Sequence, residues 1–212
     1  MPPKTPKIKQ LLEKIVKEKA SGPAPTFSAL HLLRAVELVA EKSVGRAKLS
    51  EELKIGEGAT RTIITRLKEA GLISTSKAGC SLTMKGRKLW EEYKKVIVKE
   101  VEIENCELMN AKHNVAALIK NCGHKVKTGI EQRDAAVKIG AKGAVTIVFR
   151  NGRLIIPSVS DDFLRDYPNA AEQIANLMQP KENDVIIISG ADTLDLARNG
   201  VAAAAWTLLD NR

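Results

Sequence analysis

The sequence has few aromatic residues, few cysteines and no apolar run long enough to cross a membrane. Its 212 residues include three Phe, two Trp and two Tyr, too few to favour the stacking platforms of single-strand RNA binders. The three cysteines form no CxxC pair, and no N-terminal stretch has the apolar core of a signal peptide. The apolar runs 115–119 and 185–188 have the length of strands. We therefore expect a cytoplasmic, reduced protein with no membrane association.

Catalytic motifs are also missing. The sequence contains no Walker loop, HExxH, GxSxG or GxGxxG, and no cysteine is paired with a base by motif. Asp161 and Asp162 resemble paired carboxylates, but their position before Phe163 is typical of the negative charge at a helix N-terminus. We predict no catalytic residues and no cofactor, with an uncharacterised activity in the C-terminal half as the alternative.

Four possible metal ligands lie within twenty residues of one another: Cys106, His113, Cys122 and His124. Their spacing matches no standard zinc knuckle. We predict buried thiols and polar histidines at these positions and no metal site.

Positive charge is concentrated in the first half of the chain. Residues 1–99 hold 21 Lys and Arg against 10 Asp and Glu, a net charge of +11, whereas residues 100–212 hold 13 against 15, a net charge of −2. A basic surface attracts a polyanion because its cations can be set against backbone phosphates. The alternative is a solvated, lysine-rich surface with no such partner.

Residues 44–83 have the pattern of a winged helix-turn-helix. A short helix with Leu49 and Leu53 on one face is followed by a turn at 54–57, in which Gly56 is expected to take a positive φ. The next helix repeats apolar residues at helical spacing: Ala59, Ile63, Leu67 and Ala70. The residues left facing outward are short or basic, as a helix in the major groove requires. They are Gly58, Arg61, Thr62, Thr65 and Arg66.

Flanking elements complete this pattern. Strands at 72–76 and 80–83 are expected to form a hairpin with Lys77 at its basic tip, which would be the wing. A helix is expected at 28–42 with Ser28 as N-cap, and a closing helix at 85–95. His31 lies beside the apolar stripe of the first of these helices; a partly buried structural role is favoured over a pH sensor.

The motifs of residues 27–95 resemble the winged-helix domains of archaeal and bacterial transcription regulators. The resemblance rests on Gly56-Glu57-Gly58-Ala59-Thr60-Arg61-Thr62, Gly71-Leu72-Ile73 and Leu82-Thr83-Met84-Lys85-Gly86. The whole chain also resembles an uncharacterised archaeal family that joins such a domain to a C-terminal domain of unknown function. The most distinctive run of that second domain is Gly129-Ile130-Glu131-Gln132-Arg133-Asp134-Ala135-Ala136.

The expected partner is double-stranded DNA. We predict that Arg61, Thr62, Thr65 and Arg66 contact bases and nearby phosphates. Backbone phosphates are assigned to five further cations: Arg46, Lys48, Lys77, Arg87 and Lys88.

Residues 7–19 form a strongly amphipathic helix in front of this unit, and residues 20–25 are expected to be a semi-stiff linker. A short helix is marginal without a surface to bury its stripe. It is expected either to pack near Leu89, Trp90 and Tyr93 or to pair with a second subunit.

Residues 96–212 are expected to form an α+β domain. Strands and helices alternate as ββαββαβα, which favours a two-layer sandwich with a mostly antiparallel sheet and helices on one face. A βαββαβ ferredoxin-like arrangement is the alternative and depends on how the first strand pairs. The expected domains are thus 1–25, 26–95 and 96–212, the last with a sensing or dimerising role.

Two polar strand-to-helix turns in this domain could line one pocket for a small-molecule effector. The first turn lies at 128–134 and begins a helix, whose exposed amides can bind an anion. The second lies at 189–193. The alternative is that these residues cap helices and form surface ion pairs. The candidate ligand-binding residues are Lys127, Thr128, Gly129, Glu131, Arg133 and Asp192.

These patterns predict a homodimeric, sequence-specific DNA-binding regulator. The rival interpretation is a winged helix used as a protein- or RNA-interaction module, with the second domain as the functional part.

Overall fold

The computed structural model describes residues 8–17 and 25–209. Contacts divide the chain between Lys94 and Lys95 into two compact units, here called the N-terminal unit and the C-terminal unit. No helix among the described residues has the length and apolar character needed to cross a membrane.

The N-terminal unit is helical with one small hairpin. Its core is formed by side chains that are almost fully buried, among them Leu32, Val36, Leu49, Ile63 and Leu67. Its elements are α1 (Ile8–Lys17), α2 (Ala29–Glu41), α3 (Arg46–Leu53), α4 (Glu57–Glu69), β1 (Ile73–Ser76), β2 (Gly79–Leu82) and α5 (Met84–Lys94).

Helix α2 begins with a capping box. Ser28 is the N-cap, and its backbone N–H donates to His31 Nδ1 at 3.1 Å. The Ser28 hydroxyl lies 3.0 Å from the same nitrogen. His31 therefore has a structural role, because its ring occupies a backbone donor that a helix N-terminus would otherwise leave unpaired.

Helix α1 packs within its own unit. It buries Ile8, Leu12 and Ile15 and contacts α2 and α5. Of the two alternatives left open by the sequence, the structure shows packing near the closing helix. The expected helix positions 7, 18 and 19 and the linker positions 20–24 lie outside the described residues.

The C-terminal unit contains a five-stranded sheet of order β3-β4-β7-β5-β6, in which every neighbouring pair is antiparallel. The α+β class and the antiparallel sheet are therefore confirmed. Strand β3 lies at the edge and, among the described strands, pairs with β4 alone. The elements are β3 (Ile97–Ile103), β4 (His113–Ile119), α6 (Ile130–Lys138), β5 (Gly143–Arg150), β6 (Arg153–Ile155), α7 (Phe163–Asp166), α8 (Pro168–Met178), β7 (Val185–Ala191) and α9 (Leu194–Leu208).

Helices cover both faces of this sheet, which corrects the expected two-layer arrangement. Ile186 and Ile188 of β7 belong to one apolar cluster with Phe163 and Ile174, on the side of α7 and α8. Alternate strand residues point to the opposite face, where α6 and α9 pack against β5 and β7. The central strand β7 is buried along its whole length, so each face needs its own helical layer.

Helix α9 approaches the sheet closely at Gly200. A Cβ there would lie 2.2 Å from Ser189 Oγ and 2.9 Å from Ala141 Cβ, so only glycine fits. The small residues that follow, including Val201, Ala203 and Ala205, are buried within the unit. They are thus used for internal packing and leave little surface for a second subunit.

Candidate nucleic-acid interface

Helix α4 separates a buried face from an exposed one. Thr60, Ile63 and Leu67 are buried, whereas Arg61 and Thr65 are exposed. Thr60 was not expected in the core; its hydroxyl is satisfied by the Gly56 carbonyl at 3.2 Å.

Small residues surround Arg61 on the exposed face. Gly58 is exposed, and a Cβ at this position would meet no atom within 4 Å. The hydroxyl of Thr62, which is half-buried, donates to the Gly58 carbonyl at 3.1 Å. Arg61 therefore projects from a helix surface with little steric bulk around it.

The turn between α3 and α4 is closed by a residue other than the expected glycine. Lys54 takes the left-handed conformation with φ 53°, and its N–H donates to the Glu51 carbonyl at 3.2 Å. Gly56 has φ −62° and serves as the N-cap of α4. The expected positive φ at Gly56 is therefore wrong, although the turn lies where the sequence placed it.

The two cations assigned to α3 have carboxylate partners. Arg46 Nη2 lies 3.6 Å from Glu57 Oε2, and Lys48 Nζ lies 3.0 Å and 3.1 Å from Glu51 and Glu52. These hydrogen bonds raise the pKa of Lys48, with the bond to Glu51 contributing most. Because such exposed ion pairs are weak, a DNA phosphate can take the place of the carboxylates. The cations then lose the attraction to those carboxylates.

The wing is a tight hairpin with Lys77 exposed at its tip. Ser76 pairs with Gly79, so Lys77 and Ala78 form a two-residue turn. At the base, the Cys80 N–H donates to the Val44 carbonyl at 2.8 Å. Gly79 has φ 115°, and a Cβ there would lie 2.7 Å from the Val44 carbonyl. The wing is thus fixed to the segment before α3.

The start of α5 places two further cations in solvent, because Arg87 and Lys88 are both exposed. Sequence reasoning missed the roles of their neighbours. Lys85 Nζ donates to the Ala70 carbonyl at 2.7 Å, so it caps the C-terminus of α4. Gly86 is so close to the residue before β1 that a Cβ would lie 2.1 Å from the Leu72 carbonyl oxygen.

Arg66 does not face outward as expected. Its Nη1 donates to the carbonyl oxygens of Ile15 at 3.1 Å and Val16 at 2.9 Å. The guanidinium carbon also lies 5.4 Å from the ring centroid of Phe27. The orientation expected for Arg66 is therefore wrong: its guanidinium joins α4 to α1.

The candidate effector residues do not meet in one pocket. Gln132, in the first turn of α6, donates to Thr207 near the end of α9. Asp192 lies just before Thr193, the N-cap of α9, and pairs with Lys142 at 2.5 Å. The length of α9 therefore separates the two turns by about 20 Å, and the expectation that both line one pocket is wrong.

The first of these turns shows mainly helix-terminal contacts. Gly129 is the N-cap of α6 with φ 82°, and the Ile130 N–H lies 3.4 Å from Thr128 Oγ1. Arg133 pairs with its neighbour Asp134 at 3.0 Å. Lys127 and Glu131 are exposed. These contacts are those of the alternative interpretation, helix capping and surface ion pairs.

The four possible metal ligands are also spread apart. His113, at the start of β4, pairs with Glu102 at 3.0 Å. Beyond the other end of β4, His124 Nδ1 lies 3.0 Å from Asn183 Nδ2, and burial raises the pKa of the Cys122 thiol. Cys106 pairs through its backbone with Met109.

Two family models match separate parts of the chain. Residues 29–97 match the family model of the CggR N-terminal DNA binding domain. Residues 110–208 match the model of a domain of unknown function, DUF4443. The first part of the chain is thus similar to a winged-helix-like DNA-binding domain and the second to a domain of unknown function, which confirms the arrangement that the sequence motifs indicated.

Among solved structures, the chain is similar to hypothetical protein PH0730 from Pyrococcus horikoshii OT3. The two are 25% identical with a TM-score of 0.66, over 86% of this chain and 92% of that chain. ZitR from Lactococcus lactis is 24% identical over 42% of this chain and 70% of that chain, with a TM-score of 0.30. No curated protein matches the sequence.

Proposed function

We propose that this protein is a sequence-specific transcription regulator that reads the major groove of duplex DNA with α4. The observation that carries the proposal is the exposed face of α4, on which Arg61 projects between Gly58 and Thr65. An arginine can donate two hydrogen bonds to a guanine edge, and small neighbours allow the helix to approach the bases. The match to a regulator DNA-binding domain supports the same function.

Base contacts are assigned to Arg61, Thr62 and Thr65, and the remaining cations act on phosphates. Lys77, Arg87 and Lys88 are exposed and make no ion pair with any residue in the described ranges. Arg46 and Lys48 must first leave their carboxylates. Phosphate contacts of this kind position the protein, whereas base contacts give it specificity.

Selection of bound fragments from the organism's own DNA, followed by titration of the selected and a random duplex, tests the proposal. Arg61→Ala should weaken binding to the selected duplex by about 1 to 3 kcal/mol and lower the ratio between the two affinities. Arg61→Lys is the matched control, because it keeps the charge but loses the paired donors. It should retain random-duplex binding and still lose specificity.

If the parent protein binds no duplex, or Arg61→Ala keeps the parent's specificity ratio, the proposal fails. Absent duplex binding would favour the rival role as a protein- or RNA-interaction module.

A cytoplasmic homodimer on a palindromic site fits this function, because helix-turn-helix regulators match their two-fold symmetry to that of the DNA. The contact surface cannot be the buried stripe of α9. Sedimentation of the full chain at about 100 μM tests this state, and a strict monomer would contradict it. Effector sensing by the C-terminal unit stays a prediction, which a thermal-shift screen of anionic metabolites addresses.

A further inference from the structure

The described residues of the C-terminal unit have no net charge, but their positive side chains are unevenly distributed. Residues 95–209 hold 14 Lys and Arg and 14 Asp and Glu. One end of the sheet, where β4 stops at Ile119 opposite Val185, carries a group of exposed cations. We call this surface the basic end. Its exposed cations are Lys95, Lys99, Lys127, Arg150, Arg153 and Lys181.

Strand register and loop hydrogen bonds place these residues at the same end of the sheet, across its width from β3 to β6. The Lys120 N–H donates to the Val96 carbonyl at 2.8 Å, so the chain enters the unit beside the end of β4. The β5–β6 hairpin closes at the same end, since Val148 pairs with Val185 and Arg150 pairs with Arg153.

The acidic side chains of this end are engaged in holding its loops. Asp184 is 2% exposed and accepts hydrogen bonds from Lys120 Nζ at 2.8 Å and from the Asn121 N–H at 2.9 Å. Glu182 accepts from the N–H groups of Asn151 and Gly152 at 3.0 Å and 3.3 Å. Two carboxylates therefore order the loops, and one of them is removed from solvent.

The cations, in contrast, keep their charge available. Lys99 and Arg150 donate to neutral carbonyl oxygens, those of Leu177 at 2.6 Å and Gly123 at 3.1 Å. Lys127, Arg153 and Lys181 form no ion pair with any residue that the structure describes.

At the opposite end of the sheet, two exposed cations have carboxylate partners. Lys142 pairs with Asp192 at 2.5 Å and Arg165 with Asp166 at 2.8 Å. Lys112 and Lys138 near this opposite end are exposed and make no ion pair within the described ranges, so the basic end holds most, but not all, of the unpaired positive charge of this unit.

We propose that the basic end is a second nucleic-acid contact that binds the phosphate backbone of the duplex. The inference rests on the proposed DNA-binding function, because it requires that the N-terminal unit binds the same duplex. Cations on ordered loops fit phosphate oxygens, and no Phe, Tyr or Trp at the basic end is exposed among the described residues for stacking on bases. The contact is therefore independent of base sequence and adds affinity and salt dependence.

The test compares two double lysine variants of the full chain. Lys127→Gln/Lys181→Gln removes two exposed charges from the basic end, and Lys112→Gln/Lys138→Gln removes two exposed charges near the opposite end. Duplex affinity is measured by fluorescence anisotropy as a function of salt. The basic-end variant should lose roughly tenfold in affinity for selected and random duplex alike, and its log–log salt slope should be smaller by about 2. The control should match the parent.

Failure of this inference is distinguishable from failure of the proposed function. If the parent binds duplex and loses specificity with Arg61→Ala, while the basic-end variant binds with the parent's affinity and salt slope, the second contact is overturned. That result would leave an acidic protein as the partner of this surface. Equal losses in the two double variants would also overturn it, because the effect would then follow net charge and not position.

Discussion

Arg66 Nη1 in α4 donates a 2.9 Å hydrogen bond to the carbonyl oxygen of Val16 in the last turn of α1. The bond spans 50 residues of sequence, and a second one reaches Ile15. A cation at a helix C-terminus satisfies carbonyls that lack helical partners and interacts favourably with the helix dipole. The side chain thus stabilises the association of α1 with α4.

We predict that Arg66→Ala destabilises the N-terminal unit while leaving DNA specificity unchanged. Loss of charge-assisted hydrogen bonds from a half-buried guanidinium should lower the free energy of unfolding by about 1 to 3 kcal/mol. Urea unfolding and the ratio of selected to random duplex affinity measure the two effects. A variant with the parent's stability but reduced specificity would show that Arg66 reads DNA after all.

The wing tip offers a test of sequence-independent contact. Lys77→Ala should weaken binding to every duplex alike and lower the salt slope by about 1, because one phosphate contact is lost. Lys42→Ala, at the exposed C-cap of α2, is the matched control. A change in the specificity ratio with Lys77→Ala would contradict the assignment to the phosphate backbone.

Gly86→Ala should strongly destabilise the N-terminal unit. The added Cβ would lie 2.1 Å from the Leu72 carbonyl oxygen, which belongs to the backbone and cannot move aside cheaply. We expect a loss of about 2 kcal/mol or more in chemical denaturation. Gly58→Ala is the control: its Cβ meets nothing within 4 Å, so stability should rise or stay the same. Similar effects of the two substitutions would refute the packing argument.

Stability should depend on pH through His31. Burial lowers the pKa of this imidazole, so the unfolded chain binds the proton more tightly than the folded one. The contribution is therefore complete above the unfolded value of about 6.5 and is lost as pH falls through the lower folded value. His31→Gln keeps a capping side chain without a titrating group. Its unfolding free energy should fall less than the parent's between pH 7.5 and 5.5; equal falls would exclude His31 as the cause.

Local periodicity was sufficient to predict α4 and the wing. Ile63 and Leu67 follow helical spacing, and the hairpin has a two-residue turn between short strands. The partner of Arg66 could not be predicted, because it comes from a helix 50 residues away. Helical spacing shows which residues of α4 face away from its own core. It does not show that a second helix, α1, covers part of that face.

The layers of the C-terminal unit were missed although the sequence carried a clue. The apolar run 185–188 shows no alternation, as expected of a strand buried on both faces, and the structure buries all of β7. The distance between Thr128 and Asp192 was not readable in this way. It follows from the antiparallel pairing of β4 with β7, which places the turns after these two strands at opposite ends of the sheet.

The hydrogen bond between Cys80 and Val44 fixes the wing in place, and the thiol of Cys80 makes detachment of the wing measurable. Cys80 is 4% exposed, and burial raises the pKa of its thiol, so an alkylating reagent can reach a thiolate there only when the hairpin detaches. The rate of labelling would then report how often the wing detaches from the segment before α3. A duplex that holds Lys77 should slow the labelling of Cys80, so this native thiol can follow the engagement of the wing without an engineered cysteine.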